Sequence, residues 1–151
     1  MSSSSRAQID VGYNDFDEAS SLELIAAMKG KSMVSIGMAR CNLGVEGAKA
    51  MAEMASVMGS LTKILVGRNK LGDEGTTILC DALRESTVSK VEELDLSEND
   101  IRPEGAKAIA ALCAVRPSLT KLAVRYNFLG EEGEAALRKA IEGRSGFELD
   151  L

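Results

Sequence analysis

The chain has 151 residues, of which 45% are hydrophobic, and this suits one domain that buries a core. Its formal net charge of −5 argues against general binding to nucleic acid or to an anionic membrane, because both require a basic face. No apolar run approaches the roughly 18 residues of a membrane span, and the start, MSSSSRAQID, lacks the apolar segment of a secretory signal.

The cysteines and the missing histidine restrict the chemistry. Cys41, Cys80 and Cys113 are odd in number and far apart, and the chain has no His and no CxxC pair. A zinc site or a disulfide framework is therefore not expected. Without His, the usual general base is also missing. We expect no enzyme activity, no metal and no cofactor, and reduced thiols in a cytoplasmic protein.

In chain order, residues 1–5 are expected to form a disordered tail and residues 6–151 a single domain of repeats. A degenerate first copy, AQIDVGYNDF, precedes MVSIGMARCNLGVEG, LTKILVGRNKLGDEG, VEELDLSENDIRPEG and LTKLAVRYNFLGEEG, and a truncated GFELDL ends the chain. Their spacing is about 27 to 30 residues. The repeats span about 6–32, 33–60, 61–90, 91–118 and 119–145, with a partial repeat at 146–151.

Each copy is predicted to form a short strand followed by a helix. The first half has apolar residues at alternate positions, such as Leu94 and Leu96, which is typical of a strand. The second half has apolar residues on one helical face, such as Ala108, Ile109 and Leu112. Because successive copies must share one core, we predict a curved α/β solenoid with a parallel sheet on its concave face and helices on its convex face.

The repeat resembles the leucine-rich repeat, whose pattern is LxxLxLxxN/CxL. Its length and helical second half are similar to the ribonuclease-inhibitor-like class, as found in NOD-like receptors and Ran GTPase-activating proteins. The resemblance covers nearly the whole chain, from about Arg6 to Leu151. It implies a horseshoe-shaped arc in which the recurring Asn, or Cys41 in its place, bonds to neighbouring backbone groups. It implies less about function, because this scaffold carries unrelated activities.

The recurring Gly-acid motif, NKLGDEG in its third copy, could in isolation be a phosphate loop, a calcium loop or a turn. A phosphate loop would need a Lys followed by Ser or Thr, and a calcium loop would need alternating carboxylates that end in Glu. Neither is present. We interpret the acids, such as Asp73 and Glu74, as favourable charges at helix starts. Glycines such as Gly75 are expected to let the helix start approach the sheet.

The outward strand position alternates in charge. It holds Lys63, Glu93, Lys121 and Glu148 in successive copies. Opposite charges on adjacent strands stabilise each other by a few tenths of a kcal/mol. This row is either a charge ladder that satisfies itself or a strip that an oppositely charged partner could bind.

The other outward positions group by chemical type. One copy is acidic, a basic flank precedes it, and a mixed aromatic and basic patch follows it. Tyr and Arg are enriched in binding hot spots. We predict protein binding on the concave face by Arg40, Lys63, Arg68, Lys70, Glu93, Asp95, Glu98, Asp100, Lys121, Arg125, Tyr126 and Phe128.

The leading functional hypothesis is a non-catalytic module or scaffold that binds another protein through the concave face or through the open ends of the solenoid. A structural subunit of a larger complex, for example a ciliary one, is an alternative. A regulator of the GTPase-activating type is another. The open ends also allow homo-oligomers.

Overall fold

Strands and helices alternate along residues 7–151, the part of the chain that the computed structural model describes. The tail expected at residues 1–5 lies outside this range. The elements are β1 (Ala7–Asp10), α1 (Glu18–Met28), β2 (Met33–Gly37), α2 (Gly44–Ala55), β3 (Lys63–Leu65), α3 (Gly72–Glu85), β4 (Glu93–Asp95), α4 (Pro103–Val115), β5 (Lys121–Ala123), α5 (Gly130–Ala140) and β6 (Glu148–Asp150).

The six strands form one parallel sheet in sequence order, which confirms the predicted α/β solenoid arc. Adjacent strands pair without a shift from β2 onwards, so equivalent residues of successive repeats form rows. One row faces the core and contains Ile36, Ile64, Leu94 and Leu122, all fully buried. The neighbouring row contains the alternating charges. The period of two in the sequence therefore separates core from surface, as expected.

The helices cover the other side of this core with their apolar faces. Leu79 and Leu83 of α3 and Ile109 and Leu112 of α4 are buried. Consecutive helices pack against one another from α1 to α5, so each repeat is held by its two neighbours. None of the helices in the described residues is long and apolar enough to cross a membrane.

The motif glycines allow consecutive helices to approach each other. A Cβ added at Gly75 would lie 3.2 Å from the Cβ of Ala48 on α2, and one at Gly133 would lie 2.9 Å from the Cβ of Ala106 on α4. The expectation that these glycines meet the sheet is therefore wrong. Their nearest neighbours on another element belong to the start of the preceding helix.

Asp73 caps a helix of the next repeat. Gly44, Gly72 and Gly130 begin their helices with a positive φ, whereas Arg102 holds this position in the fourth repeat with φ −106°. There, Oδ1 of Asp73 accepts hydrogen bonds from the Arg102 N–H at 2.7 Å and the Gly105 N–H at 3.0 Å. The acid thus satisfies donors at the start of α4, which has no capping side chain of its own.

An asparagine ladder joins the repeats along the edge where strands turn towards helices. Oδ1 of Asn99 accepts from the N–H groups of Asn69 (2.9 Å) and Leu71 (3.3 Å) in the preceding repeat. Its Nδ2 donates to Val66 O at 3.0 Å and to Ser97 O at 3.1 Å. Asn69 and Asn127 bond in the same way. Each amide uses both donor and acceptor atoms, as the resemblance implied.

The ladder weakens at the N-terminal end. Asn14 is exposed and donates only to carbonyls of its own repeat, at 2.9 Å and 3.3 Å. Cys41 occupies the next position and its Sγ lies 3.6 Å from Val11 O. A thiol is a weak donor and cannot replace the two amide functions. The asparagine ladder therefore does not extend between repeats one and two, which are joined here by Ser21 Oγ donating to Cys41 O and Asn42 Nδ2 donating to Phe16 O.

We predict that Asn99→Ala lowers the free energy of unfolding by about 2–4 kcal/mol, because it leaves two backbone N–H groups without an acceptor in a buried site. Asn14→Ala is the matched control and should cost less than about 1 kcal/mol, since Asn14 is exposed. Urea denaturation followed by circular dichroism measures both. Equal losses for the two variants would show that the ladder does not hold the repeats together.

Candidate functional site: a groove along the strand-to-helix edge

The residues on either side of Asn69 and Asn99 have left-handed backbone conformations, and so does Tyr126 before Asn127. Arg68 and Lys70 flank Asn69 with φ values of 56° and 53°, and Glu98 and Asp100 flank Asn99 with 53° and 58°. This conformation is costly for residues other than glycine. It recurs in successive repeats around the hydrogen-bonded Asn, so it belongs to the architecture. The consequence is a fixed pair of outward side chains at each turn.

These flanking side chains form a groove of about 620 Å³ at the edge of the sheet. We call it the rim groove. It draws on repeats two to five and is lined by Arg40, Arg68, Lys70, Glu98, Asp100, Tyr126 and Phe128. Because every one of them stands next to the ladder position, the backbone that carries them is held by the ladder.

The charges of the rim groove are only partly paired within the chain. Nε of Arg68 lies 2.9 Å from Oε1 of Glu98, and this hydrogen bond and charge raise the pKa of the Arg68 guanidinium. Arg40, Lys70 and Asp100 take part in no ion pair within 4.0 Å among residues 7–151. Two cationic groups and one carboxylate of the groove therefore keep their full capacity for a partner.

Two aromatic rings close the far end of the groove. Tyr126 and Phe128 are 70% and 58% exposed, although residues with aromatic rings are on average well buried. The guanidinium of Arg125 lies 5.2 Å from the Tyr126 ring centroid, and that of Arg102 lies 5.5 Å from the Phe128 centroid. Neither arginine lines the groove. The rings are thus held by cations from outside and offer apolar surface inside.

The alternating charges on the strands form a separate feature. Glu93 is 24% exposed and stands between Lys63 (3.5 Å) and Lys121 (3.9 Å), and Lys121 also approaches Glu148 at 3.7 Å. This geometry favours the ladder that satisfies itself over the strip that a partner binds. It does so because both lysines already have a carboxylate within reach.

The structure divides the predicted binding residues into three groups. Seven line the rim groove, while Lys63, Glu93 and Lys121 form the strand charge ladder. Asp95 accepts a hydrogen bond from the Ser97 N–H at 2.9 Å, and Arg125 pairs with Asp150 at 3.6 Å. Asp95 and Arg125 therefore form local contacts beside the groove.

Several polar contacts were not anticipated from the sequence. Arg102 stacks on Phe128, and Arg144 donates from Nη1 to Cys113 O at 2.7 Å. Arg116 donates to Ser86 O in the equivalent position of the preceding repeat. Arg116, in RPSL, and Arg144, in RSGF, both lie shortly before a strand. This recurrence in the sequence is the signal that could have revealed the contacts of these two arginines.

A second groove of about 620 Å³ lies at the opposite edge, between the loops that follow α1 and α2. Val57, 77% exposed, and the lysines Lys29 and Lys31 line it. Lys29 pairs with Glu53 across it at 3.8 Å. It spans two repeats, fewer than the rim groove, and lacks aromatic side chains.

The remaining reactive groups are buried. Cys41, Cys80 and Cys113 are at most 1% exposed, and burial raises the pKa of all three thiols, that of Cys113 to about 11. No group of three or more His, Cys, Asp or Glu side chains within residues 7–151 is arranged to hold a metal ion. What the arrangement can do is present fixed charged and aromatic groups to another molecule.

Comparisons with known proteins agree with this architecture. A family model described as "Leucine Rich repeat" matches residues 89–110. RAN GTPase-activating protein 2 of Arabidopsis thaliana is 26% identical over 86% of this chain, which spans 24% of that protein. The Sus scrofa ribonuclease inhibitor is 26% identical over 89% of the chain, which spans 30% of it. Human NACHT, LRR and PYD domains-containing protein 3 is 31% identical over 55% of the chain and 8% of its own length.

A solved structure shows the same fold. That of Leiomodin-1 Actin-Binding Site 2 superposes with a TM-score of 0.70, over 88% of this chain and 78% of the other, at 15% identity. At this identity the match concerns the fold alone. The chain spans less than a third of the length of the curated relatives above.

We predict that Glu93→Lys lowers the free energy of unfolding by about 1–2 kcal/mol, because it places three positive charges on adjacent strands. Glu23→Lys on α1 is the control, since Glu23 is exposed and lies outside every ion pair of the described residues. The difference should shrink in about 1 M NaCl, where charges are screened beyond about 3 Å. A loss that salt leaves unchanged would mean that packing, and not charge, is responsible.

Because the thiols are buried, we expect the protein to lose stability at alkaline pH. The pKa of Cys113 in the folded state, about 11, lies above its unfolded value near 9, so the folded state holds the proton more strongly. The contribution of the protonated Cys113 thiol to the free energy of unfolding is constant below pH 8 and is lost as the pH rises from about 9 towards 11. Between pH 8 and 10, wild type should lose about 1–2 kcal/mol more than Cys113→Ala. Urea unfolding at each pH measures this, and parallel curves would contradict it.

Proposed function

The chain is a leucine-rich-repeat protein of the ribonuclease-inhibitor-like class, and we propose that it is a non-catalytic module that binds another protein through the rim groove. The observation that carries this proposal is the set of charged and aromatic side chains from four successive repeats that line one groove. Protein–protein interaction is the general role that the repeat family suggests. The choice of the rim groove is ours and rests on the geometry.

The composition of the groove supports a protein partner. Arg and Tyr are enriched among residues that dominate binding energy. Tyr126 and Phe128 provide apolar surface at little entropic cost, and Arg40, Lys70 and Asp100 provide charges that lack an ion-pair partner among the described residues. A small-molecule pocket would enclose most of its ligand. Here the aromatic side chains are more than half exposed, which suits a surface that meets another surface.

The groove is also held rigidly. Six of its seven lining side chains flank asparagines whose amide groups bond to the backbone on both sides, and Arg40 flanks Cys41, whose N–H donates to Oδ1 of Asn69. A preformed surface loses less conformational entropy on binding than a flexible one. The strand charge ladder, in contrast, already satisfies its charges, so it contributes to stability more than to recognition.

Two observations keep the alternative roles open to test. Ile141, Leu149 and Leu151 at the end of the arc are only partly buried, and such an end suits a subunit of a larger assembly. The match to RAN GTPase-activating protein 2 favours a GTPase-activating type of regulator. We also propose a cytoplasmic location, which three free, buried cysteines support.

A photo-crosslinking amino acid at position 126 tests the proposed binding site. It replaces Tyr126 in the rim groove, and a control replaces Val115, which is 56% exposed at the end of α4. In native extract we expect position 126 to crosslink to one defined protein that position 115 does not capture. A third variant carries the crosslinking amino acid at position 149, at the end of the arc. If position 115 or 149 captures the partner and position 126 does not, the partner binds outside the groove.

The partner identified in this way allows a quantitative prediction. Lys70→Glu and Asp100→Lys should each weaken its binding about tenfold or more, because each introduces a like charge at the interface. Glu93→Gln, in the strand charge ladder, should leave the affinity within about twofold. Isothermal titration calorimetry measures all three. If the protein instead accelerates GTP hydrolysis by Ran and captures no stable partner, the regulator hypothesis is correct.

A further inference from the structure

The order of side chains along the rim groove is complementary to its own reverse. From repeat two to repeat five, the groove side chains outside the Arg68–Glu98 pair are a cation, a cation, a carboxylate and a pair of aromatic rings. They belong to Arg40, Lys70, Asp100, and Tyr126 with Phe128. When this order is set against its own reverse, the aromatic rings lie opposite a cation and the carboxylate lies opposite the other cation. A surface of this kind can pair with an identical surface that runs the opposite way.

The arc permits this reversed pairing. All six strands are parallel, so the strand-to-helix turns of every repeat lie on one rim. Consider a two-fold axis along a radius of the arc, between β3 and β4, in the plane of that rim. Rotation about it turns the arc over and reverses the order of repeats, so two equal arcs stack rim to rim. Repeat three then faces repeat four of the other copy, and repeat two faces repeat five.

We propose that the rim groove binds a second copy of this chain through this two-fold arrangement. Lys70 of each copy pairs with Asp100 of the second copy, so one contact type occurs twice. Arg40 of each copy lies against the Tyr126 and Phe128 rings of the second copy, where a guanidinium is favoured over an aromatic face. All three charged groups in these contacts, Arg40, Lys70 and Asp100, lack an ion-pair partner among residues 7–151.

The internal pair Arg68–Glu98 strengthens the case for a second copy. This pair, at 2.9 Å, removes one cation and one anion from the two central repeats of the groove. What remains in those repeats is one Lys and one Asp, in the same position of adjacent turns. A two-fold axis between the turns therefore matches them without a surplus of either sign. A strongly acidic or basic partner would leave one of the two opposed by a like charge.

This inference goes beyond the proposed function, since it needs no other protein. It implies a regulation of the same site, because a second copy and a different partner would compete for one groove. The pairing is expected to be weak, with a dissociation constant of about 10–500 μM, because exposed charge pairs contribute little each and association has a large entropic cost. Self-pairing would then matter most at high local concentration.

Sedimentation velocity with charge-swapped variants tests the pairing. Wild type should shift from monomer to dimer over the stated concentration range, and the shift should diminish in about 1 M NaCl. Lys70→Glu alone places two carboxylates opposite each other, and Asp100→Lys alone places two ammonium groups opposite each other. Each variant should weaken the dimer about tenfold or more.

An equimolar mixture of the two variants should recover the dimer. In the mixed dimer, the carboxylate introduced at position 70 of one copy faces the ammonium group introduced at position 100 of the second copy. At the other contact, the native Asp100 of the first copy faces the native Lys70 of the second. Both contacts are therefore complementary in charge.

Controls separate this proposal from general charge effects. Lys90→Glu and Glu23→Lys make the same charge changes at exposed positions outside the groove, and their mixture should behave like wild type. A wild type that stays monomeric throughout overturns the proposal, and so does a mixture that dimerises no better than either variant alone. Neither result affects the proposed function, whose crosslinking test detects a different protein.

Discussion

The asparagine ladder is the interaction on which the other features of this molecule depend. Each buried amide accepts from the backbone of the preceding repeat and donates to carbonyls at the ends of two strands. Backbone groups at these turns cannot bond within a helix or a sheet, so Asn69, Asn99 and Asn127 satisfy them in repeats three to five. The ladder thereby lets strands of three residues follow one another in register along the arc.

The same ladder positions the rim groove, which is the proposed recognition surface. It fixes the turns at Asn69, Asn99 and Asn127, where the flanking residues other than Phe128 have left-handed conformations, so side chains leave these turns at corresponding places in successive repeats. The consensus residues are used for packing, and the flanking positions are free to vary in charge and shape. Four successive turns then give a groove with cations at one end and aromatic rings at the other. The groove thus follows from the architecture without any additional element.

Much of this could be predicted from the sequence, and the misses have physical causes. Period-two and helical apolar patterns report which side chains are buried, so strands, helices and the parallel sheet followed from them. The glycines were assigned to the wrong neighbour because close approach depends on how helices stack, as Gly75 against Ala48 shows. The cap from Asp73 to Arg102 was missed because it joins residues about thirty positions apart in sequence. The binding residues were identified as one concave set, whereas the structure separates a groove from a charge ladder.

The sequence by itself determined the repeat, the fold class and the absence of histidine chemistry, because these depend on composition and on local spacing. Only the tertiary structure decided which surface charges are already paired. Lys63 and Lys70 are both outward lysines of the third repeat, yet Lys63 has Glu93 at 3.5 Å and Lys70 has no carboxylate within 4.0 Å in the described residues. Side-chain reach and turn geometry set this difference, and neither is contained in a one-dimensional pattern. The charges left over after folding are the ones available for binding.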